Sequence, residues 1–155
     1  MATAAVSPAA GLRRRTMAFE LTVHDDLPPE AKRVDAGLGD ANDAAAPLHE
    51  VRPLSCFVRD VAGAVVGGVV GRRWGACAEI QQVWVDPAHR GKGIATRLVR
   101  AFEARATEHG CRRFYLETFS FQAPALYEKL GYRVSHALDV YPHGIVKYTM
   151  VRDAE

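Results

Sequence analysis

A strand that runs into a glycine loop and then into a helix is the feature of this sequence that most constrains its fold. Residues 78–85 are rich in apolar and β-branched side chains, as a buried strand is, and Asp86-Pro87 ends the strand. Gly91-Lys92-Gly93 then opens a segment in which apolar residues recur every four positions, at Ile94, Leu98, Phe102 and Ala106. This spacing predicts an amphipathic helix that ends near Gly110. A strand followed at once by such a helix indicates a sheet with a helix packed on its face.

The remaining elements follow from the same periodicities. The predicted strands cover residues 19–23, 54–59, 65–74, 78–85, 113–118, 133–138 and 145–151. One predicted helix begins near residue 29 and ends towards residue 38, where Gly37 and Gly39 weaken it; another follows the glycine loop, and a third covers residues 122–130. This order predicts a mixed α/β domain of the α+β kind, with helices on both sides of the sheet.

Length, charge and cysteine spacing limit the function classes that are open to the chain. A chain of 155 residues with a formal charge of +2 has the size of one domain and is too close to neutral for a general nucleic-acid binder. Cys56, Cys77 and Cys111 lie too far apart in sequence for a redox motif or a four-ligand zinc site, so no metal is expected. Apolar runs are too short to cross a bilayer. We therefore expect a cytoplasmic protein that acts on neither nucleic acid nor membrane.

The first residues differ in composition from the rest of the chain. Residues 1–17 are rich in alanine, contain three consecutive arginines at positions 13–15, and have no acidic residue. We interpret them as a disordered extension, or as sequence that precedes a start at Met17; an organellar transit peptide is the alternative. The folded domain is then expected to cover residues 18–155.

The glycine loop has the properties of a site for a small polyanion. The first N–H groups of a helix lack internal partners, and the helix dipole adds roughly half a positive charge at that end. Gly91 and Gly93 let an anion approach the backbone closely, and Arg90 and Lys92 add charge. Neither a P-loop, GxxxxGK followed by Ser or Thr, nor a GxGxxG dinucleotide fingerprint is present. Residues 90–95 instead match R/Q-x-x-G-x-G/A at every fixed position.

Three stretches together make the sequence resemble the GNAT (Gcn5-related N-acetyltransferase) family. They are this loop, the strand at residues 78–87, and residues 123–132, which are similar to the family's A-xxx-Y-E-K-x-G-F/Y signature. The similarity is strong over residues 78–132 and weaker from residue 19 to residue 152. It implies a GNAT fold, with a six- to seven-stranded, mostly antiparallel sheet that is splayed between its fourth and fifth strands. It also implies an acetyltransferase that uses acetyl-CoA.

The resemblance also implies where acetyl-CoA binds. The pantetheine arm is expected between the strands at residues 78–85 and 113–118, and the pyrophosphate on the amides of residues 91–96. The implied cofactor-binding residues are Val83, Trp84, Val85, Arg90, Gly91, Lys92, Gly93, Ile94, Ala95, Thr96, Ser120, Ala123 and Tyr127. Ser120 departs from the family pattern, because many members carry Asn at that position.

Two side chains are predicted to move protons. An amine with a pKa of about 10.4 is mostly protonated at pH 7, so it needs a base before it can attack a thioester directly in a ternary complex. Glu79 is the predicted base, because it lies on the strand that holds the thioester and some family members use a glutamate there. The alternative is a strand glutamate paired to an arginine. Tyr127 matches the family's usual acid for the departing thiolate, and the alternative is a packed helix aromatic.

The acceptor is expected to be a primary amine of a small molecule or of a protein. The resemblance places the last strands beside the splay, so the predicted acceptor residues are Glu117, His136, Asp139, Tyr141 and His143. A homodimer is a further expectation. Two other classes stay open, namely a CoA-binding sensor without catalysis and an RNA- or DNA-binding module. The presence of both Glu79 and Tyr127 speaks against the first, and the concentration of basic residues beside one loop speaks against the second.

Overall fold

The computed structural model describes residues 19–154, which divide into two compact units, residues 19–39 and residues 40–154. The predicted extension at residues 1–17 lies outside the described residues. Within the described part of the chain, every helix is too short or too polar to cross a bilayer.

The segment that precedes the sheet differs from its prediction in two ways. The strand predicted at residues 19–23 is wrong: these residues have no regular secondary structure, and Phe19, Leu21 and Val23 are 84–89% exposed. Alternating apolar residues form a strand only where a neighbouring strand supplies backbone partners. The first helix, α1, spans Ala31–Ala45, so it continues well past Gly37 and Gly39. Its many alanines, the best helix formers, offset the two glycines.

The sheet has six strands in the order β1-β2-β3-β4-β6-β5, and only β3 and β4 are parallel. Its strands are β1 (Arg52–Arg59), β2 (Val65–Trp74), β3 (Cys77–Val85), β4 (Arg113–Phe119), β5 (Arg133–Leu138) and β6 (Lys147–Asp153). The helices after the glycine loop are α2 (Ile94–Glu108) and α3 (Pro124–Lys129). A mostly antiparallel mixed sheet with helices was predicted, and it is confirmed.

Small differences in element bounds have local causes. β1 begins before its predicted start because it is an edge strand, where Pro53 needs no ladder partner for its missing N–H. α3 begins at Pro124 rather than at residue 122, because the Gln122 side chain accepts a hydrogen bond of 2.8 Å from the Phe119 amide within the preceding turn. β6 begins at Lys147 because the Ile145 amide donates to Pro142 O in a turn.

The core lies between α2 and one face of the sheet. Leu98, Val99 and Phe102 of α2 are at most 2% exposed, and each contributes about 1.5–3 kcal/mol through burial. α2 approaches β2 closely at Gly71, where an added Cβ would lie 2.9 Å from the Phe102 ring. α3 joins the same core cluster through Tyr127 and Leu130. The opposite sheet face stays open within residues 40–154: Phe57, Val70 and Trp84 there are 37–54% exposed.

A buried carboxylate joins α2 to the C-terminal part of the sheet. Glu103 is 4% exposed; its Oε1 accepts from Tyr132 Oη at 2.8 Å, and its Oε2 from Arg100 at 2.8 Å. Arg152 of β6 lies 3.2 Å from the same Oε2. Arg100 also donates to the carbonyl of Leu130 at the end of α3. The charge of Glu103 is therefore fully paired, as a buried charge must be.

The two parallel strands pair over only part of their length. Cys77–Ile80 pairs with Arg113–Leu116, and beyond these residues β3 and β4 have no ladder to each other. The β2–β3 register shifts between Val70 and Gly71, which leaves Gln81 as a bulge at the point where the strands part. The predicted splay is therefore present. It lies between the third and fourth strands because the predicted first strand does not form.

Candidate functional site

A cavity of about 720 Å³ fills the gap between the parted ends of β3 and β4. β3 lines it with Val83, Trp84 and Val85, and β4 lines it with Glu117 and Thr118. The glycine loop, the first turn of α2 and the residues around α3 complete the wall. The cavity therefore has backbone edges on two sides and a helix N-terminus at one end.

The glycine loop presents unpartnered backbone N–H groups to this cavity. Gly91 and Gly93 both have a φ of 74°, a left-handed conformation that favours glycine, and an added Cβ would meet nothing within 4 Å at either position. The Arg97 amide makes the first helical bond of α2, to Gly93 O at 3.1 Å, so the amides of residues 94–96 precede any internal acceptor. The first turn of α2 has no acidic residue. Open space, donors and dipole together fit a phosphate group.

Three basic side chains surround the loop, and their hydrogen-bond partners differ. Arg90 donates from Nε to the carbonyl of Val85 at 3.1 Å, which fixes the arginine at the end of β3 and occupies that carbonyl. Lys92 donates to Ala88 O at 3.4 Å and does not line the cavity. His89 lines it, and its buried Nδ1 has no hydrogen-bond partner among the described residues.

Tyr127 lines the cavity from α3 and is 8% exposed. Its ring meets Tyr132 edge to face, with 5.9 Å between ring centroids and an interplanar angle of 71°. Burial raises the pKa of the Tyr127 phenol. The side chain is therefore both packed and a protonated donor at neutral pH, so the two interpretations that the sequence left open are compatible.

Glu79 lies at the narrow end of the splay and is paired to an arginine. Its Oε2 is 2.5 Å from Arg72 Nε, and the hydrogen bond to Glu79 is the main cause that raises the pKa of Arg72. Tyr115 is the neighbour of Glu79 across the β3–β4 ladder, and burial first, then Glu79, raises the pKa of its phenol. Glu79 itself does not line the cavity, whereas the next residue, Ile80, does.

The predicted acceptor residues are only partly brought together. Glu117 lines the cavity and forms an ion pair of 2.5 Å with Lys147 of β6. His136 lies in the same row of the sheet, since both it and Glu117 pair with Thr149, but it does not reach the cavity wall. Asp139 and His143 are exposed and lie outside the wall.

Tyr141 does not line the cavity, but it belongs to an aromatic cluster, not revealed by the sequence, whose member Phe121 does line it. Phe121 lines the cavity and stacks on Phe119, with centroids 5.3 Å apart and an interplanar angle of 10°. Tyr141 meets Phe119 edge to face at 5.4 Å. The alternation of β4, which puts Phe119 on the same face as Glu117, was the one available signal for this cluster.

Ser120 makes its hydrogen bonds to the backbone of Val146. Its amide donates to Val146 O at 2.8 Å, and its hydroxyl accepts from the Val146 amide at 3.1 Å, so it holds the end of β4 to the segment before β6. It does not line the cavity. Most of the predicted cofactor-binding residues do: the cavity wall includes Val83, Trp84, Val85, Arg90, Gly91, Gly93, Ile94, Ala95, Thr96, Ala123 and Tyr127.

Comparisons with known proteins agree with this geometry. The sequence profile of the Acetyltransferase (GNAT) family matches residues 20–132. The blasticidin-S acetyltransferase of Streptomyces morookaense is 36% identical over 111 residues, which are 69% of this chain and 82% of that protein. An acetyltransferase structure from Bacillus cereus has a TM-score of 0.70 at 26% identity and covers 86% of this chain and 97% of its own. The NatC complex bound to Gag peptide and CoA shares the fold, with a TM-score of 0.56 at 21% identity over 65% of this chain and 71% of that one.

A sheet whose strands separate beside an open helix N-terminus is consistent with an acyltransferase that works with a CoA thioester. The chain belongs to the GNAT family of acetyltransferases, and acetyl-CoA is its acyl donor. The predicted family, fold class, enzyme class and cofactor are thereby confirmed.

Proposed function

We propose that this protein acetylates a primary amine by direct attack within a ternary complex. The observation that carries the proposal is that one cavity extends from the glycine loop to Tyr127 and to Glu117. Donor and acceptor can therefore occupy the same cavity together. A covalent acetyl-enzyme formed on cysteine would need a thiol in the wall, and no cysteine lines this cavity among the described residues.

The residues of the loop and of β3 fit acetyl-CoA. The amides of residues 91–96 hold the pyrophosphate, and Arg90, fixed by its bond to Val85 O, adds a charge-assisted contact. Backbone groups of β3 that face the gap, at Val83 to Val85, hold the pantetheine arm. Acetyl-CoA supplies the acetyl group as a thioester.

Glu79 and Tyr127 handle the protons that the reaction transfers. The bound ammonium first loses one proton to the Glu79 carboxylate through water, because Glu79 lies at the narrow end of the splay rather than in the wall. Tyr127 supplies one proton to the leaving sulfur and regains one, through water, from the nitrogen, which loses its second proton as the amide forms; burial keeps the phenol protonated for that role. Glu117 is the second candidate for the base, because its carboxylate does line the cavity.

A small molecule is the acceptor that the comparisons favour. The relative from Streptomyces morookaense, which matches most of its own length to this chain, is named for blasticidin S. Blasticidin S is therefore the first acceptor to test, followed by other small amines, and N-terminal and lysine peptides form the contrasting set.

We also propose that the protein acts in the cytoplasm. Cys56, Cys77 and Cys111 are free thiols, which suits the reducing cytoplasm. We also propose a homodimer that binds no nucleic acid, and light scattering and gel shift at physiological salt test these two statements.

The direct test is release of free CoA thiol from acetyl-CoA in the presence of each amine. We expect turnover with at least one small amine and mass spectrometry showing one added acetyl group on its nitrogen. Binding of acetyl-CoA with no transfer to any amine in a broad panel would instead support a CoA-binding sensor.

A further inference from the structure

The aromatic cluster beside the cavity, formed by Phe119, Phe121 and Tyr141, has no part in the core or in the proton transfers. Phe121 is 66% exposed although its ring is held in a fixed orientation by the stack on Phe119. The hydrogen bonds between Ser120 and Val146 fix the backbone on which this stack stands. The outward face of Phe121 is thus a preorganised flat apolar surface at the cavity.

A second exposed aromatic lines the same cavity from the other strand. Trp84 is 49% exposed and belongs to β3, whereas Phe121 follows β4. Single exposed apolar residues are common on protein surfaces, but two aromatic rings on opposite walls of one cavity, one of them already stacked, form a surface suited to a flat ligand.

We propose that this aromatic cluster binds the ring of the acceptor, and that the acceptor is an amine joined by a short chain to a flat, unsaturated ring. The inference rests on the proposed N-acetyltransferase function and names the acceptor class of the same site. An aromatic ring prefers an offset stack on Phe121, and a saturated, puckered ring of equal size cannot make one.

The strand spacing sets the length of the connecting chain. Glu117 and Phe119 point to the same face of β4 and are two residues apart, so about 6.6 Å separates their positions along the strand. With the ring at the cluster, a connecting chain of a few bonds brings the amine towards Glu117. The Glu117–Lys147 ion pair, with a 2.5 Å contact, then offers a charged partner at the amine end of the acceptor.

The test compares 2-phenylethylamine with 2-cyclohexylethylamine, which carry the same amine on the same chain. We expect kcat/KM for the phenyl compound to be about tenfold higher in the wild-type protein, since a stacked pair adds up to about a tenfold preference beyond buried area. Phe121→Leu keeps apolar bulk but removes the flat face, so the ratio should fall to about two. Phe57→Leu is the matched control, because Phe57 is 54% exposed on the same sheet face and lies outside the cavity wall.

Two results would overturn the inference: a wild-type ratio near one, or a larger rise in the KM for acetyl-CoA than in the KM for the amine in Phe121→Leu, which would assign the cluster to the donor. Calorimetric titration of the same amines into the CoA-saturated protein separates this inference from the proposed function. Tighter binding of the phenyl compound, lost in Phe121→Leu, supports the ring site even if no amine is acetylated. Acetylation of both amines at equal rates supports only the transferase.

Discussion

Tyr127 has a packed ring and lines the cavity, so removing its hydroxyl alone tests the proposed acid role. Tyr127→Phe keeps the ring and its edge-to-face contact with Tyr132, so acetyl-CoA affinity should change little. Turnover should fall by about 10²–10⁴-fold if Tyr127 is the general acid that we propose. Since burial raises the pKa of this phenol, wild-type activity should show no loss from its ionisation until the pH exceeds about 10, the ordinary tyrosine value. Stopped-flow thiol release between pH 6 and 10 measures both effects, and a fully active Tyr127→Phe would assign the proton to water.

The two glutamates beside the splay can be distinguished by their pH profiles. Glu79→Gln should lower kcat/KM at neutral pH, and the deficit should shrink as the pH approaches the amine's own pKa of about 10.4, where no base is needed. Glu117→Gln should mainly raise the KM for the amine, because it breaks the ion pair with Lys147 without removing the base. The reverse assignment, with the pH-dependent deficit in Glu117→Gln, would make Glu117 the base and Glu79 the partner of Arg72 alone.

At the residue scale, the sequence named Glu79 and Tyr127 but could not describe their surroundings. The pairing of Glu79 with Arg72 depends on the β2–β3 register, which a bulge at Gln81 changes by one residue. The stack of Phe121 on Phe119 depends on how the chain turns after β4. Both contacts arise from backbone geometry that local residue patterns do not encode.

The role of the loop between β3 and α2 can be tested by comparing Gly93 with Gly110, a glycine of similar left-handed φ that lies after α2. Gly93 has a φ of 74° and Gly110 a φ of 88°, and an added Cβ meets nothing within 4 Å at either position. Alanine at either position should cost about 1–2 kcal/mol in stability, because its Cβ disfavours this conformation. Only Gly93→Ala should weaken acetyl-CoA binding, by at least about fivefold, because its methyl group would enter the space proposed for the pyrophosphate. Calorimetry on both folded variants checks this, and equal affinities would move the anion away from Gly93.

The junction of α2, β6 and the start of β5 depends on the buried Glu103. Tyr132→Phe removes one hydrogen-bond donor from this carboxylate and should lower the free energy of unfolding by about 1–3 kcal/mol. Burial first, and then Glu103, raise the pKa of Tyr132, so its contribution is fully present below the unfolded value of about 10 and is lost as the pH rises through the folded value. The difference between wild type and variant should therefore shrink above pH 10.

Urea unfolding at pH 7 and at pH 10.5 provides the measurement for Tyr132. Tyr148→Phe is the control, because the described residues give its hydroxyl no hydrogen-bond partner, and it should change stability by less than about 0.5 kcal/mol. Equal losses in the two variants would mean that the bond to Glu103 adds nothing beyond a buried hydroxyl.

At the element scale, the sequence located all six strands and the start of each helix, and the elements with a buried face, such as α2, follow from periodicity most directly. Two predictions failed in segments that lack buried residues. Residues 19–23 alternate like a strand but remain exposed, and α1, which has no buried residue, runs through two glycines that were expected to end it.

The whole protein should be stabilised by its donor substrate. A ligand that binds only the native state adds about 2.7 kcal/mol at a hundred times its dissociation constant. For a domain of this size each kcal/mol raises the melting temperature by roughly 2–4 °C, so acetyl-CoA should raise it by about 5–10 °C. Scanning fluorimetry with acetyl-CoA measures this shift in melting temperature, and NAD at the same concentration serves as the control. A shift with NAD and none with acetyl-CoA would contradict the loop assignment.

At the scale of the molecule, the splay was implied by the family resemblance alone. The ladder between β3 and β4 stops after Ile80 and Leu116, although each chain continues as a strand beyond that point, to Val85 and Phe119, and no sequence rule predicts that the two strands separate there. The cavity depends on how strands that are far apart in sequence pair with one another, so the structure is needed to locate it.

The position of β6 has a consequence for how the enzyme is made. β6 comes after every other strand in sequence but lies between β4 and β5. While a nascent chain on the ribosome lacks Lys147–Asp153, β4 has no partner along its second edge, and Glu117 has no Lys147. One wall of the cavity is then an unprotected strand edge. A chain stalled before residue 147 should therefore be captured by chaperones and be unable to retain acetyl-CoA. The protein should become active only after β6 has been synthesised.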